Sequence, residues 1–116
     1  EDTTYADIAQ VWRNLARCYV KDKQWDMAEV NFSSALCVQR AARKVFDTSN
    51  EKDGPKIDMP FVISDECIVD TMKRMGKLYT SMQQYDKADA ILIEALTMYQ
   101  DACEEFKAKS EDVSPL

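Results

Sequence analysis

Trp12-Arg-Asn-Leu15-Ala16-Arg-Cys-Tyr19, followed nine residues after its tyrosine by Ala28-Glu-Val-Asn-Phe32, is the stretch on which the fold turns. Ile8, Trp12, Leu15, Ala16 and Tyr19 recur at separations of three and four, which is one stripe of an α-helix. A polar break at Lys21–Gln24 follows. Ala28, Phe32, Ala35, Leu36, Gln39, Ala42 and Phe46 then resume the same period, so a second helix is joined to the first by a short turn.

The pattern is written twice. A shift of 60 residues superimposes Thr4–Phe46 on Ser64–Phe106 without a gap. Ile8 falls on Ile68, Tyr19 on Tyr79, Ala28 on Ala88, Ala35-Leu36 on Ala95-Leu96, and Phe46 on Phe106. Trp12, Leu15 and Ala16 meet Met72, Met75 and Gly76. Repetition at one fixed offset marks an array of supersecondary units. The reading is all-α, with helices at about residues 5–22, 25–46, 65–81 and 85–107. Thr4 and Ser64 are expected to cap the leading helices, and Asp26 and Asp86 stand where a helix N-terminus favours negative charge. Arg40, Arg43 and Lys44 have the sign suited to the other end of the second helix. Ala16 and Gly76 are expected to face Ala28 and Ala88, keeping each helix pair close. Tyr19, Trp25, Tyr79 and Tyr85 read as packing near the two turns.

The totals agree. A chain of 116 residues buries roughly two-thirds of its unfolded surface, enough for one core. Two glycines and three prolines leave few turns, favouring long helices over many strands. A net charge of −6 argues against nucleic acid and against an anionic membrane surface as partners. No apolar run approaches the ~18 residues of a membrane span. With no histidine, no nucleophile–base set and no phosphate-cradling glycine loop, an enzyme is not expected, nor is a metal or cofactor. Cys18, Cys37, Cys67 and Cys103 form no CxxC and each falls inside a helical pattern, so they read as reduced structural thiols of a cytoplasmic or nuclear protein.

These residues resemble the tetratricopeptide repeat, whose unit of about 34 residues reads W-x2-L-G-x2-Y, then A-x3-F. Here it is Trp12, Leu15, Ala16 and Tyr19 with Ala28 and Phe32. The second copy is Met72, Met75, Gly76 and Tyr79 with Ala88 and Leu92. The family usually ends its second helix with proline; Arg40 and Gln100 stand there instead, and the longer period is similar to kinesin-light-chain-type repeats. The resemblance implies two tandem units in a short right-handed α-solenoid: repeat one at 4–46, an insertion at 47–63, repeat two at 64–107 and a tail at 108–116, all within a single domain. Inside the insertion, Asp47–Lys56 is polar and broken by Gly54-Pro55, as loops are, and its Asn50–Lys56 stretch is expected to be the most protease-sensitive. Met59, Phe61 and Ile63 at its apolar end are either an anchor onto the helices or a secondary contact for a partner.

The resemblance also implies a concave groove formed by Gln10, Arg13, Asn14, Arg17 and Lys21 of the first unit with Asp70, Lys73, Arg74 and Lys77 of the second. Independently of the family, Arg13 and Arg17 share one helix face, and Lys73 and Lys77 repeat that pair. Two readings stand for these cations: solvated faces paired with carboxylates such as Asp7 and Asp70, or a basic strip for an acidic peptide or protein. The function expected is non-enzymatic protein–protein interaction, with a structural or self-associating segment of a longer repeat array as the alternative.

Overall fold

The computed structural model describes the backbone of residues 2–50 and 58–113 and the side chains of 5–49 and 58–108. The described residues form α1 (Asp2–Lys21), α2 (Trp25–Asn50), a 3-10 turn (Phe61–Ile63), α3 (Asp65–Ser81) and α4 (Tyr85–Val113). No strand occurs among them, and no helix among them is long and apolar enough to cross a membrane. The chain is all-helical over this range.

The two short turns are built alike. Lys23 and Gln83, 60 residues apart, both take left-handed backbone, with φ of 59° and 62°. After α1, the Gln24 N–H donates to the Tyr19 carbonyl (2.9 Å) and the Lys23 N–H to that of Val20 (3.0 Å). After α3, Gln84 donates to Tyr79 (2.8 Å) and Gln83 to Thr80 (3.0 Å). This is the paired hydrogen bonding that closes a helix through a left-handed residue, here without glycine. At the start of α3 the Ser64 hydroxyl accepts the Cys67 N–H at 3.2 Å, the cap expected there. α1 begins at Asp2, so Thr4 lies inside the helix rather than at its start.

Both second helices outrun their expected ends at 46 and 107. In α2, Arg43 Nε lies 3.1 Å from each oxygen of Asp47, and the Thr48 hydroxyl donates to the Lys44 carbonyl at 2.9 Å. These one-turn contacts satisfy in helical form the polar groups that read as a loop start. α4 likewise continues to Val113, through most of the expected tail. Gly54-Pro55 and nearly all of the protease-sensitive stretch lie outside the described residues.

Two apolar clusters hold the helices together. In the larger, Phe32 and Leu36 of α2 pack with Ile68, Met72, Met75 and Leu78 of α3, while Ala16, Ala28, Ala88 and Ala95 allow close approach. The smaller joins Ala6 and Ala9 of α1 with Phe46 of α2, Val62, Ile63 and Cys67. The apolar end of the insertion is therefore an anchor, with Ile63 buried and Met59 half-buried; Phe61 is the exposed member of that trio. Gln39, fully buried, fastens the anchor by donating from Nε2 to the Val62 carbonyl at 2.8 Å.

Three packing expectations need correction. A Cβ built at Gly76 would lie 2.5 Å from Leu92 Cδ2 and 2.6 Å from its Cγ, so the closest approach is to Leu92 rather than to Ala88. Ile8 and Leu15, expected in the core stripe, are exposed, as are Leu96, Tyr99 and Phe106 at the other end of the molecule. Their faces point away from the neighbouring pair, and among the described residues no third layer covers them. Of the four cysteines, all free, Cys67 is buried while Cys18, Cys37 and Cys103 are exposed, so only Cys67 has a packing role.

Candidate functional site

α1 and α3 meet through side chains, and the polar residues where they meet divide into two groups. The first is closed. Arg13 is buried, with Nε donating to the Thr71 hydroxyl at 2.9 Å, Nη2 to Asp70 Oδ2 at 2.5 Å and Nη1 to Gln10 Oε1 at 3.2 Å. Gln10 Nε2 donates in turn to Asn14 Oδ1 at 3.0 Å, and Arg74 Nε to Asp70 Oδ2 at 2.8 Å. Burial works against the Asp70 carboxylate, but the hydrogen bond from Arg74 and the charges of Arg74, Arg13 and Lys73 outweigh it and hold its pKa below the ordinary 3.8. Arg13 is thus a helix-to-helix tie and not an open groove cation. Its neighbours Ala9 and Ala16, both buried, explain why: a long side chain flanked by small ones on the same stripe points inward. Gln10, Asn14 and Asp70 belong to the same tie.

The second group is open. Arg17, Lys21, Arg74, Lys77 and Ser81 surround a cavity of about 250 Å³ whose floor is Val20, Trp25, Phe32 and Leu78. Lys21 sits in the last turn of α1, and Lys77 and Ser81 near the end of α3, where a helix C-terminus tolerates positive charge. Among the described residues, Arg17, Lys21, Lys73 and Lys77 form no ion pair, whereas Arg74 pairs with Asp70. Lys73 is exposed but does not line the cavity. Of the residues expected in the groove, Arg17, Lys21, Arg74 and Lys77 line this cavity. The cavity is smaller than the roughly 300–1,000 Å³ of typical ligand clefts and has room for an anchoring side chain.

Of that apolar floor, the sequence reads Trp25 and Phe32 only as packing and gives no role to Val20 or Leu78. Phe32 and Leu78 are indeed buried, but each also turns an edge to this opening. The signal that could have found it is the alternation in Arg17, Val20, Lys21: an apolar residue between two cations spaced by one turn lies on the same face as they do.

A separate joint lies on the far side of α3. The Tyr79 hydroxyl donates to Glu29 Oε2 at 2.9 Å. Burial first, and the adjacent Glu29 carboxylate second, push the phenol up from 10.0 to about 12. Lys87 of α4 lies 3.9 Å from the same carboxylate and 5.7 Å above the Tyr79 ring, so α2, α3 and α4 meet at one point. Comparison with known proteins found no matching family model, no matching curated protein and no matching solved structure.

Proposed function

We propose that this chain is a non-enzymatic protein-interaction module, built from two tetratricopeptide-like units stacked as a short solenoid, and that it captures an acidic segment of a partner by an apolar anchor. The observation that supports this reading is the cavity at the ends of α1 and α3, where four cations ring an apolar floor. Three of those cations have no ion-pair partner among the described residues. Like charges so placed repel one another, and carboxylates of a ligand would relieve that repulsion while one of its apolar side chains fills the opening. A net charge of −6 makes the basic ring a local exception, so an acidic ligand is steered to this part of the surface. The partner expected is a peptide or protein of the cytoplasm or nucleus, with no cofactor.

Titration of the protein with a fluorescent peptide carrying one leucine or phenylalanine flanked by glutamates tests this directly. Each exposed ionic contact contributes ~0.2–1 kcal/mol, so reversing both Arg17 and Lys77 to Glu should weaken binding by roughly tenfold. Raised salt should weaken it in the wild type, since exposed charges are screened beyond about 8–10 Å. Neither side chain is buried, so helicity should be unchanged. An affinity that stays the same in the double variant, with helicity retained, would remove the cavity from consideration.

A further inference from the structure

The 60-residue offset allows the two ends of the molecule to be compared with its middle. In the middle, α3 covers α2: Phe32 and Leu36 of α2 are 1% and 5% exposed, and Ile68 and Met75 of α3 are 2% and 4% exposed. The counterparts of the first two are Leu92 and Leu96 on α4, at 42% and 55%. The counterparts of the last two are Ile8 and Leu15 on α1, at 38% and 42%. Both halves of the interior contact are therefore present a second time, with the same class of side chain at the same helical register, and both are open to water. One half is at each end of the chain.

Polar joints of the middle are repeated too. Tyr79 of α3 donates to Glu29 of α2. The residues 60 positions away are Tyr19 on α1 and Asp89 on α4, again a phenol and a carboxylate. Arg13 of α1 donates to Asp70 of α3. The equivalents are Lys73 on α3 and Gln10 on α1, again a cationic donor and an oxygen acceptor.

We propose that these two ends bind each other between molecules: α4 of one copy receives α1 of a second copy, head to tail, as α2 receives α3 within the chain. In that arrangement Ile8 and Leu15 of the second copy cover Leu92 and Leu96 of the first. Tyr19 of the second copy donates to Asp89, and Lys73 of the first donates to Gln10. The occupant is a second copy because one sequence supplies both complementary faces together with their polar pairs. Not every joint is reproduced: Arg43 and Asp65, hydrogen-bonded at 2.7 Å in the middle, become Cys103 and Tyr5 at the ends. Association between copies is accordingly weaker than the interior contact and depends on concentration. The two faces differ, so the contact is heterologous, and nothing in it limits growth to a dimer. It is independent of the cavity proposed above, which is lined by none of Ile8, Gln10, Leu15, Tyr19, Lys73, Asp89, Leu92 and Leu96.

Two variants of the full chain test this: Leu15→Glu blocks the head and Leu96→Glu blocks the tail. Both side chains are already exposed, so circular dichroism should show each variant folded. Leu15→Ser and Leu96→Ser replace them if it does not. Sedimentation velocity on the wild type should show an average mass that rises with concentration beyond the dimer. Each variant alone should remain a monomer, since neither retains both faces. An equimolar mixture of the two should form a heterodimer that grows no further, because only the intact tail of one and the intact head of the other remain. A wild type that stays monomeric at all concentrations overturns the proposal. So does a Leu15→Glu variant that still self-associates, since that would mean α4 packs on α4.

Discussion

Replacing Gly76 by alanine sets two opposed effects against each other. Alanine is favoured over glycine inside a helix by about 0.8–1 kcal/mol, and Gly76 lies within α3. The added Cβ would, however, stand 2.5 Å from Leu92 Cδ2, 2.6 Å from Cγ and 3.1 Å from Cδ1. Swinging the end of the leucine would clear the Cδ atoms but not Cγ, which moves only by rotation at χ1 or by separation of the helices. Overpacking of that kind costs about 1–3 kcal/mol. Leu92 is partly exposed and can yield outward, which keeps the cost within that range. The net expectation is a loss of roughly 0–2 kcal/mol for Gly76→Ala. In a Leu92→Ala background the obstructing atoms are gone, and the same substitution should stabilise by about 0.5–1 kcal/mol. Urea denaturation of the four proteins in this cycle measures the coupling, expected at roughly 1–3 kcal/mol. If Gly76→Ala has the same effect with and without Leu92, the close approach of α3 and α4 at this point is wrong.

Two further outcomes are expected. Arg13→Ala removes a buried guanidinium that ties α1 to Thr71 and Asp70, and urea denaturation should show a loss of about 1.5–3 kcal/mol, as for hydrogen bonds to charged groups; a change under about 0.5 kcal/mol would mean that Arg13 faces water. Because the Tyr79 phenol is raised from 10.0 to about 12, its contribution is fully present below pH 10 and is lost as pH climbs through about 12. Stability measured by denaturant across that range should therefore fall in the wild type relative to Tyr79→Phe, and parallel curves would remove the Glu29 hydrogen bond from the account.

The helices were legible because their signals are local. Trp25, Asp65 and Tyr85 begin α2, α3 and α4 as the break and cap residues indicate, and the polar breaks became two turns of one design. Helix ends were less so, because Asp47-Thr48 is loop chemistry or a helix continuation according to whether Arg43 and Lys44 offer partners one turn back. The candidate site was half legible. Spacing puts Arg13 and Arg17 on one face but does not say where the next helix crosses it, and that crossing buries Arg13 while leaving Arg17 at the cavity mouth. For the same reason an apolar stripe shows which face of α1 or α4 is suited to burial, whereas its cover depends on a neighbour beyond the pair. Gln39 is the converse case: a polar side chain in an apolar stripe is buried because Val62, brought in from the insertion, offers it a carbonyl.

The length of α4 bears on how this protein behaves in time. At 29 residues against 17 for α3, it exceeds its antiparallel neighbour by 12, or about 18 Å of helix at ~1.5 Å per residue. With Leu92 opposite Gly76, α4 passes the start of α3 near Cys103, and from there to Ala108 every side chain is exposed. A helical stretch that packs on nothing is marginal in water and opens turn by turn on the sub-microsecond to microsecond scale of the helix–coil transition. Amide protons past Cys103 should therefore exchange with solvent without waiting for the core to open, while those near Ala88 and Ala95 report on the whole fold. Ellipticity at 222 nm would then slope with temperature well before the core melts, and a single-step fit to that signal alone would understate how cooperative the core is.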